Sequence, residues 1–290
     1  MTETFNFCQH NIGCVEYFDS GNENDKSRFV SSNDTYRDLK SYLSNTEFEA
    51  DLYTLQEIQH YGNNDGEITV NETKYGYIYN ETGKNDYYVN SRSGISANSK
   101  EIEHGCMVVY DMNRFEYVYQ YTTAEHAELN SRASPWVVLK DKITGKHYLV
   151  ISIHGLIPNP LSKSKCKRIK DLYESIIDMI AGFYSVTKND YSFIIGTDLN
   201  INIYNPDLDF FSSKKKEFKK SIKKSINYFL KSLKKYNINY DLNNDIYTNY
   251  SGKGNNVFYD CIDFIFKSKF LHMKLHMVVI ILVPLQNGEN

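Results

Sequence analysis

Residues Tyr191 to Asn202 read YSFIIGTDLNIN, and this stretch joins an apolar run to two polar side chains. The run FII is typical of a strand that is covered on both faces. Asp198 and Asn200 follow it two residues apart, so on an extended chain they point to the same side. A carboxylate and an amide at the end of a buried strand mark either a turn or a site at the rim of a sheet.

The same pattern recurs along the chain and favours the second interpretation. Three further apolar segments end in polar residues, at Asn11, Glu57 and His154, and a fifth segment, YDCIDFIF, contains Asp263. Taken alone, an acidic or amide residue at a strand end is more often a cap or a turn residue than a ligand, and a single histidine is usually an ordinary core or surface residue. Recurrence changes the balance, because strands of one sheet bring their ends to the same rim.

Composition limits the class of protein. The 290 residues are 41% apolar, and a chain of this length buries roughly 75% of its surface on folding, enough for one domain spanning 1–290. The net charge of −3 does not by itself indicate a nucleic-acid partner. Five cysteines without a CxxC pair argue against disulfides and structural zinc. We see neither a signal sequence nor an apolar run of ~18 residues, so we expect an intracellular protein, cytoplasmic or nuclear, that is not secreted and has no transmembrane segment. We also expect a monomer.

Strands are predicted both as hairpins and on either side of helices. The candidate strands are 4–12, 50–58, 106–110, 115–121, 136–140, 147–153 and the run 193–195 that leads to Asp198, and the candidate helices are 31–48 and 166–183. Gly145 supplies the turn between two of these strands. The combination predicts an α/β fold of two mixed, mainly antiparallel sheets packed together with helices outside.

The segment from Lys214 to Lys235 has the strongest charge bias. It holds ten lysines and one glutamate, about +9, so the rest of the chain carries about −12. Apolar residues at helical spacing within it predict a basic amphipathic helix. Such a helix is either an ordinary solvated face or a surface that contacts a phosphate backbone.

The residue types at the strand ends suit phosphoester hydrolysis. Mg²⁺ prefers oxygen ligands and takes one or two protein carboxylates, which Glu57 fits. Asp198 fits the role of orienting an attacking water, with Asn200 holding the phosphate or that carboxylate. His154 and Arg132 are candidate donors to phosphate oxygens.

The order of these motifs resembles the endonuclease/exonuclease/phosphatase superfamily. The matching segments are FNFCQHN, LQE, SRASPW, ISIHGL, GTDLN and IDFIF, which span residues 5 to 266. The resemblance implies a four-layered α/β sandwich and phosphoester hydrolysis with a divalent metal, usually Mg²⁺, with Mn²⁺ as the alternative. It places Asn11 and Glu57 at the metal, and Asp198 and Asn200 at the water and phosphate. It makes Asp263 the partner of a final catalytic histidine.

Two features depart from the family pattern. A glycine usually comes directly before the aspartate, whereas here Thr197 lies between Gly196 and Asp198. The family also ends in Ser-Asp-His followed one residue later by proline. Alignment on Pro284 puts the apolar residues 280–282 there, and loss of that histidine should cost roughly 10²–10³ in rate or more. The chain is then a weakened or silent relative, or His272 or His276 replaces the histidine, or the chain end is altered.

We therefore expect a Mg²⁺-dependent phosphodiesterase, most simply a nuclease that hydrolyses nucleic acid with an activated water. The alternatives are a lipid or inositol phosphate hydrolase of the same fold and a catalytically silent phosphate-binding protein. The sequence leaves open DNA against RNA and endonuclease against exonuclease.

Overall fold

A computed structural model of the protein describes residues 4–12, 39–45, 49–59, 63–81, 104–121, 134–156, 163–187, 191–201, 216–240, 249–253, 256–260, 263–268 and 274–277. The elements in chain order are β1 (Asn6–Asn11), α1 (Leu39–Asn45), β2 (Leu52–Gln59), β3 (Asp65–Val70), β4 (Thr73–Glu81), β5 (His104–Asp111), β6 (Phe115–Gln120), β7 (Trp136–Asp141), β8 (His147–His154), α2 (Lys163–Thr187), β9 (Tyr191–Asp198), α3 (Lys216–Lys235), β10 (Ile238–Tyr240), β11 (Asn249–Lys253), β12 (Asn256–Asp260), β13 (Asp263–Ser268) and β14 (Lys274–Met277).

Two six-stranded sheets contain most of the strands. The first sheet has the order β14-β1-β2-β5-β4-β3, and the second has the order β10-β13-β9-β8-β7-β6, while β11 and β12 pair separately. Strands β14, β1 and β2 run parallel, as do β8 and β9, and all other pairs are antiparallel. Both sheets are therefore mixed and mainly antiparallel, which confirms the prediction.

The apolar side chains define four layers. One cluster lies between the sheets and joins residues such as Phe7 and Val108 to Val150 and Ile194. A second cluster packs α1 on the outer face of the first sheet. A third packs α2 and α3 on the outer face of the second sheet. The architecture is thus a four-layered α/β sandwich, and the predicted fold class is confirmed.

Strand β9 shows why the apolar run FII is continuous. Phe193 and Ile195 point toward α2 and α3, whereas Ile194 points into the space between the sheets. All three side chains are buried. A strand covered on both faces has no solvent side on which polar residues are favourable, so the period-two alternation disappears.

Helix α3 is the basic amphipathic helix that the sequence predicts. Ile222, Ile226, Phe229 and Leu233 are buried on one side, and the ring of Phe229 stacks on Tyr173 with centroids 4.8 Å apart. The opposite side exposes lysines at 220, 223, 224, 231, 234 and 235. No helix in the part of the chain that the structure describes is both long and apolar enough to cross a membrane.

The remaining element predictions have different outcomes in the structure. The hairpin turn containing Gly145 is found, and this glycine has a φ of 71°. The helix predicted over 31–48 is described only as α1, since its remaining residues lie outside the described ranges. The hairpin of β3 and β4 was not predicted. Its two-residue turn, Asn71-Glu72, has φ values of 48° and 69°, which is a type I′ geometry built without the usual glycine.

Candidate active site

Four strand ends meet at one rim of the sandwich. Asn11 ends β1, Glu57 lies near the end of the parallel strand β2, and His154 and Asp198 end the parallel strands β8 and β9. Because parallel neighbours end at the same edge, each sheet contributes two side chains to this rim. Asn11 pairs with Gln56 within the first sheet, and His154 pairs with Asp198 within the second.

The side chains make contact across the two sheets. Asn11 Nδ2 donates to Asp198 Oδ2 at 2.6 Å and to Glu57 Oε1 at 3.3 Å. His154 Nε2 lies 3.4 Å from Glu57 Oε1 and 3.7 Å from Asp198 Oδ2. The residues Glu57, His154 and Asp198 are buried, with relative exposures of 7%, 2% and 1%. We call these four residues the rim cluster.

Glu57 reaches the rim cluster through a β-bulge. The pairing of β2 with β5 shifts between Leu55 and Ile58, and Glu57 has a φ of 53°. Leu55 and Ile58 both face the outer cluster with α1, so the extra residue leaves the alternation and turns Glu57 toward the second sheet. A left-handed conformation costs a glutamate about 1–3 kcal/mol and is typical of functional sites.

Asn200 buttresses the cluster. Its backbone N–H donates to Asp198 Oδ1 at 2.7 Å, and its Nδ2 donates to the carbonyl of Gly155 at 3.2 Å. Its φ of 54° is a conformation that asparagine tolerates. Gly155 is needed here because a Cβ would lie 2.4 Å from the Leu199 carbonyl oxygen. Asn200 therefore fixes the loops after β8 and β9 relative to each other.

The remaining sequence candidates are only partly described. The backbone of Asp263 begins β13 opposite Asp198, so it stands at the same rim. Arg132, His272 and residues 280–282 lie outside the described ranges. The backbone of His276 pairs with Cys8 on β1, three positions before Asn11.

Polar residues inside the sandwich, which the sequence does not indicate as part of the site, support it from below. Gln9 Nε2 donates to the carbonyl of Thr197, and Gln56 Nε2 donates to Ser152 Oγ. A Cβ on Gly196 would lie 1.8 Å from Thr54 Oγ1 of the first sheet. The glycine of the GTD motif is thus required by the close approach of the other sheet. The pattern T-x-Q-E at residues 54–57 of the apolar strand β2 is the available signal, but it can be interpreted only once the pairing of the sheets is known.

The rim cluster has the donor types that a divalent cation needs. The ligand atoms of Glu57, His154 and Asp198 all lie within 4.8 Å of one another, so these residues could hold a metal ion. Two buried carboxylates at this separation repel each other and are stabilised by a nearby cation. Rotation of its amide would let Asn11 offer an oxygen ligand. The residues therefore fit a metal.

No protein-family model and no curated protein matches the chain. Among solved structures, ANGEL2, described as a 2′,3′-cyclic phosphatase, is similar at 14% identity and a TM-score of 0.51, covering 92% of this chain and 82% of that one. The human Nocturnin catalytic domain is also similar, at 14% identity, a TM-score of 0.45 and coverages of 80% and 73%. A Bacteroides thetaiotaomicron mannosyl-6-phosphatase has 14% identity, a TM-score of 0.45 and coverages of 93% and 86%.

The likeness to ANGEL2 extends over most of both chains and concerns the fold. The chain therefore shares its fold with ANGEL2, in agreement with the four-layered α/β sandwich that its motifs predict.

Proposed function

We propose that the protein is a metal-dependent phosphodiesterase that hydrolyses nucleic acid with an activated water. The observation that carries this proposal is the rim cluster, in which four strand ends from two sheets bring Asn11, Glu57, His154 and Asp198 into contact. Buried ionisable groups that converge in this way mark a candidate functional site. The description of ANGEL2 as a 2′,3′-cyclic phosphatase supports phosphoester chemistry on this fold.

Each residue of the rim cluster has a role in this mechanism. Glu57 and Asn11 would hold Mg²⁺, or Mn²⁺, which when bound supplies a Lewis acid for a phosphoryl oxygen. Asp198 orients the attacking water, because the backbone N–H of Asn200 holds its Oδ1 while Oδ2 accepts a hydrogen bond from the water once the Asn11 amide has rotated toward the metal. His154 Nε2 donates to a phosphate oxygen as negative charge develops there. Arg132, Asn200 and Asp263 complete the proposed phosphate-binding and catalytic groups.

Helix α3 supports nucleic acid as the substrate. After α3, Tyr236 and Asn237 lead into β10, whose first residue pairs with Ser268 at the end of β13. The start of β13 pairs with Asp198 at the rim, so the C-terminal end of α3 lies at the opposite end of the sheet. A helix of 20 residues is about 30 Å long. Its N-terminal lysines, including Lys220 and Lys224, are therefore the ones nearer the rim.

A chromogenic phosphodiester tests the chemistry without regard to substrate size. We expect hydrolysis by the wild type with Mg²⁺ or Mn²⁺, loss of hydrolysis with chelator, and a fall of at least ~10²-fold in Glu57→Gln. The matched control is Glu67→Gln, since Glu67 is a half-exposed glutamate of β3 that pairs with Lys74. Equal loss in both variants, or hydrolysis that survives the chelator, would contradict the proposal.

The apolar residues at 280–282 favour a second candidate, a metal- and phosphate-binding protein without turnover. This protein would bind Mn²⁺ and a phosphodiester yet leave it intact. Parallel assays with inositol phosphates and phospholipid vesicles distinguish the hydrolase alternatives of the same fold. Turnover of these substrates with intact nucleic acid would replace the nuclease by a lipid or inositol phosphate hydrolase.

A further inference from the structure

Two consecutive residues of β2 reach the second sheet beneath the site. Gln56 Nε2 donates to Ser152 Oγ at 2.9 Å, and Glu57 Oε1 lies 3.4 Å from His154 Nε2. Ser152 and His154 are two residues apart on β8, so they project from the same face. In a regular strand, Gln56 and Glu57 would point to opposite faces. The bulge in β2 is what lets both contact β8.

The hydroxyl of Ser152 is bonded to this bulge twice. It accepts the hydrogen bond from Gln56 and donates to the carbonyl of Leu55 at 2.9 Å. Leu55 is the residue at which the pairing of β2 with β5 shifts. A bulge disrupts the ladder locally, and a buried carbonyl needs a donor. Ser152 is fully buried, so its side chain provides that donor from the other sheet.

Ser152 is itself held by its neighbours. Its backbone N–H donates to the carbonyl of Pro135, and its carbonyl accepts from Ser134 Oγ at 2.7 Å. Trp136 Nε1 in turn donates to Ser134 Oγ at 3.2 Å. These bonds fix the strand on which both Ser152 and His154 lie. The hydroxyl of Ser152 therefore acts from a rigid support.

We infer that Ser152 is a positioning residue, which holds the β2 bulge so that the left-handed Glu57 faces His154 and Asp198. Without the hydroxyl, the Leu55 carbonyl and the Gln56 amide lose these two bonds across the sheets, and the bulge relaxes toward regular pairing. Relaxation would turn the Glu57 carboxylate away from the rim. The expected effect on metal binding rests on the proposed function. The expected effect on the local structure of β2 does not, and it can be measured separately.

The test compares Ser152→Ala with wild type in two measurements. Hydrogen exchange of the metal-free protein should be faster at residues 52–59, and Mn²⁺ affinity should fall by roughly 10–100-fold, as for other groups that orient metal ligands. The matched control is Ser225→Ala, which removes a buried hydroxyl that donates to the Ser221 carbonyl within α3. This control should leave both readouts unchanged.

Two further variants guard against a failure to fold. Ser152→Thr keeps the hydroxyl and should restore Mn²⁺ affinity, and Gln56→Met removes only the Gln56 bond and should weaken affinity less than Ser152→Ala. Unchanged exchange at 52–59 in folded Ser152→Ala, or in Gln56→Met if the alanine variant does not fold, would overturn the inference. Faster exchange in a protein whose wild type binds no Mn²⁺ would support the positioning role and contradict the proposed function.

Discussion

At the scale of the residue, Asp141 shows how a buried carboxylate is stabilised outside the site. It is fully buried at the end of β7, where it accepts bonds from the backbone N–H and hydroxyl groups of the turn and pairs with Arg114 at 3.0 Å. The guanidinium of Arg114 also lies over the ring of Phe5. Burial alone would raise the pKa of Asp141, but the bonds from Ile143, Arg114 and Thr144 outweigh it and hold this pKa below its usual range.

The lowered pKa makes the contribution of Asp141 depend on pH. A carboxylate with a depressed folded pKa stabilises fully above its unfolded value of 3.8, and this stabilisation is lost as pH falls through the lower folded value. We expect Asp141→Asn to lower the free energy of unfolding by about 2–3 kcal/mol near neutral pH. Urea unfolding over a series of pH values should show the difference in free energy of unfolding from wild type shrinking as the pH falls below 3.8 toward the lower folded pKa of Asp141. Asp111→Asn, at a turn without a described ion pair, is the control with the smaller loss. A pH-independent difference for Asp141→Asn would contradict this role of Asp141.

The site residues differ in how far the sequence predicts them. Asp198 and His154 end strands whose apolar runs are visible locally, so their position at a rim follows from the sequence. The bulge at Glu57 does not, because its partner Ser152 lies in the other sheet, about a hundred residues along the chain from β2. The left-handed Asn200 is likewise set by the loop after β8. Such positions depend on contacts between sheets, which periodicity does not encode.

At the scale of the element, the β3–β4 hairpin carries an avoidable strain. Both turn residues, Asn71 and Glu72, have positive φ, and the second position of a type I′ turn favours glycine. We expect Glu72→Gly to raise the free energy of unfolding by about 0.5–1 kcal/mol, measured in urea, without changing Mn²⁺ affinity. Asn71→Ala, which places a poorer left-handed residue in the same turn, should lower stability. A loss of stability in Glu72→Gly would contradict the assigned turn.

Helix α3 allows a second prediction with a control on the same helix. If its N-terminal lysines contact phosphates, Lys220→Ala with Lys224→Ala should flatten the salt dependence of oligonucleotide binding by about 2 in the slope of log K against log salt. Lys231→Ala with Lys235→Ala removes the same charge at the far end and should change the slope less. Fluorescence anisotropy of a labelled duplex over a salt series measures both. Equal slopes in the two double variants would show that α3 attracts nucleic acid only through its overall positive charge and that its N-terminal lysines make no specific phosphate contacts.

The sequence predicts the buried parts of the elements better than their ends or the edge strands. Helix α2 extends beyond the predicted 166–183 to Lys163–Thr187, since apolar periodicity marks the buried face and not the frayed ends. Strand β3 is hard to predict because it is a short edge strand with only two apolar residues, Ile68 and Val70, which face the outer cluster and alternate with the exposed residues Asp65, Glu67 and Thr69. Buried elements were thus more visible in the sequence than the edge hairpin.

At the scale of the whole molecule, the sandwich places two pairs of parallel strands so that their ends face each other. Neither sheet alone contains the rim cluster, since Asn11 and Glu57 come from the first and His154 and Asp198 from the second. The packing of the sheets therefore assembles the site. The cross-sheet bonds of Gln9, Gln56 and Ser152 lie just beneath it and couple the packing to its geometry. That the chain from 1 to 290 forms a single domain stays a prediction.

If the rim cluster is a metal-dependent nuclease site, as we propose, the protein should nick supercoiled plasmid. We expect wild type to nick with Mg²⁺, to stop with chelator, and to lose at least ~10²-fold in rate in Asp198→Ala. Asp178→Ala, an exposed aspartate of α2, should nick like wild type. Nicking that persists in Asp198→Ala or in chelator would contradict the claim, as would intact plasmid with a wild-type protein that is folded and binds Mg²⁺.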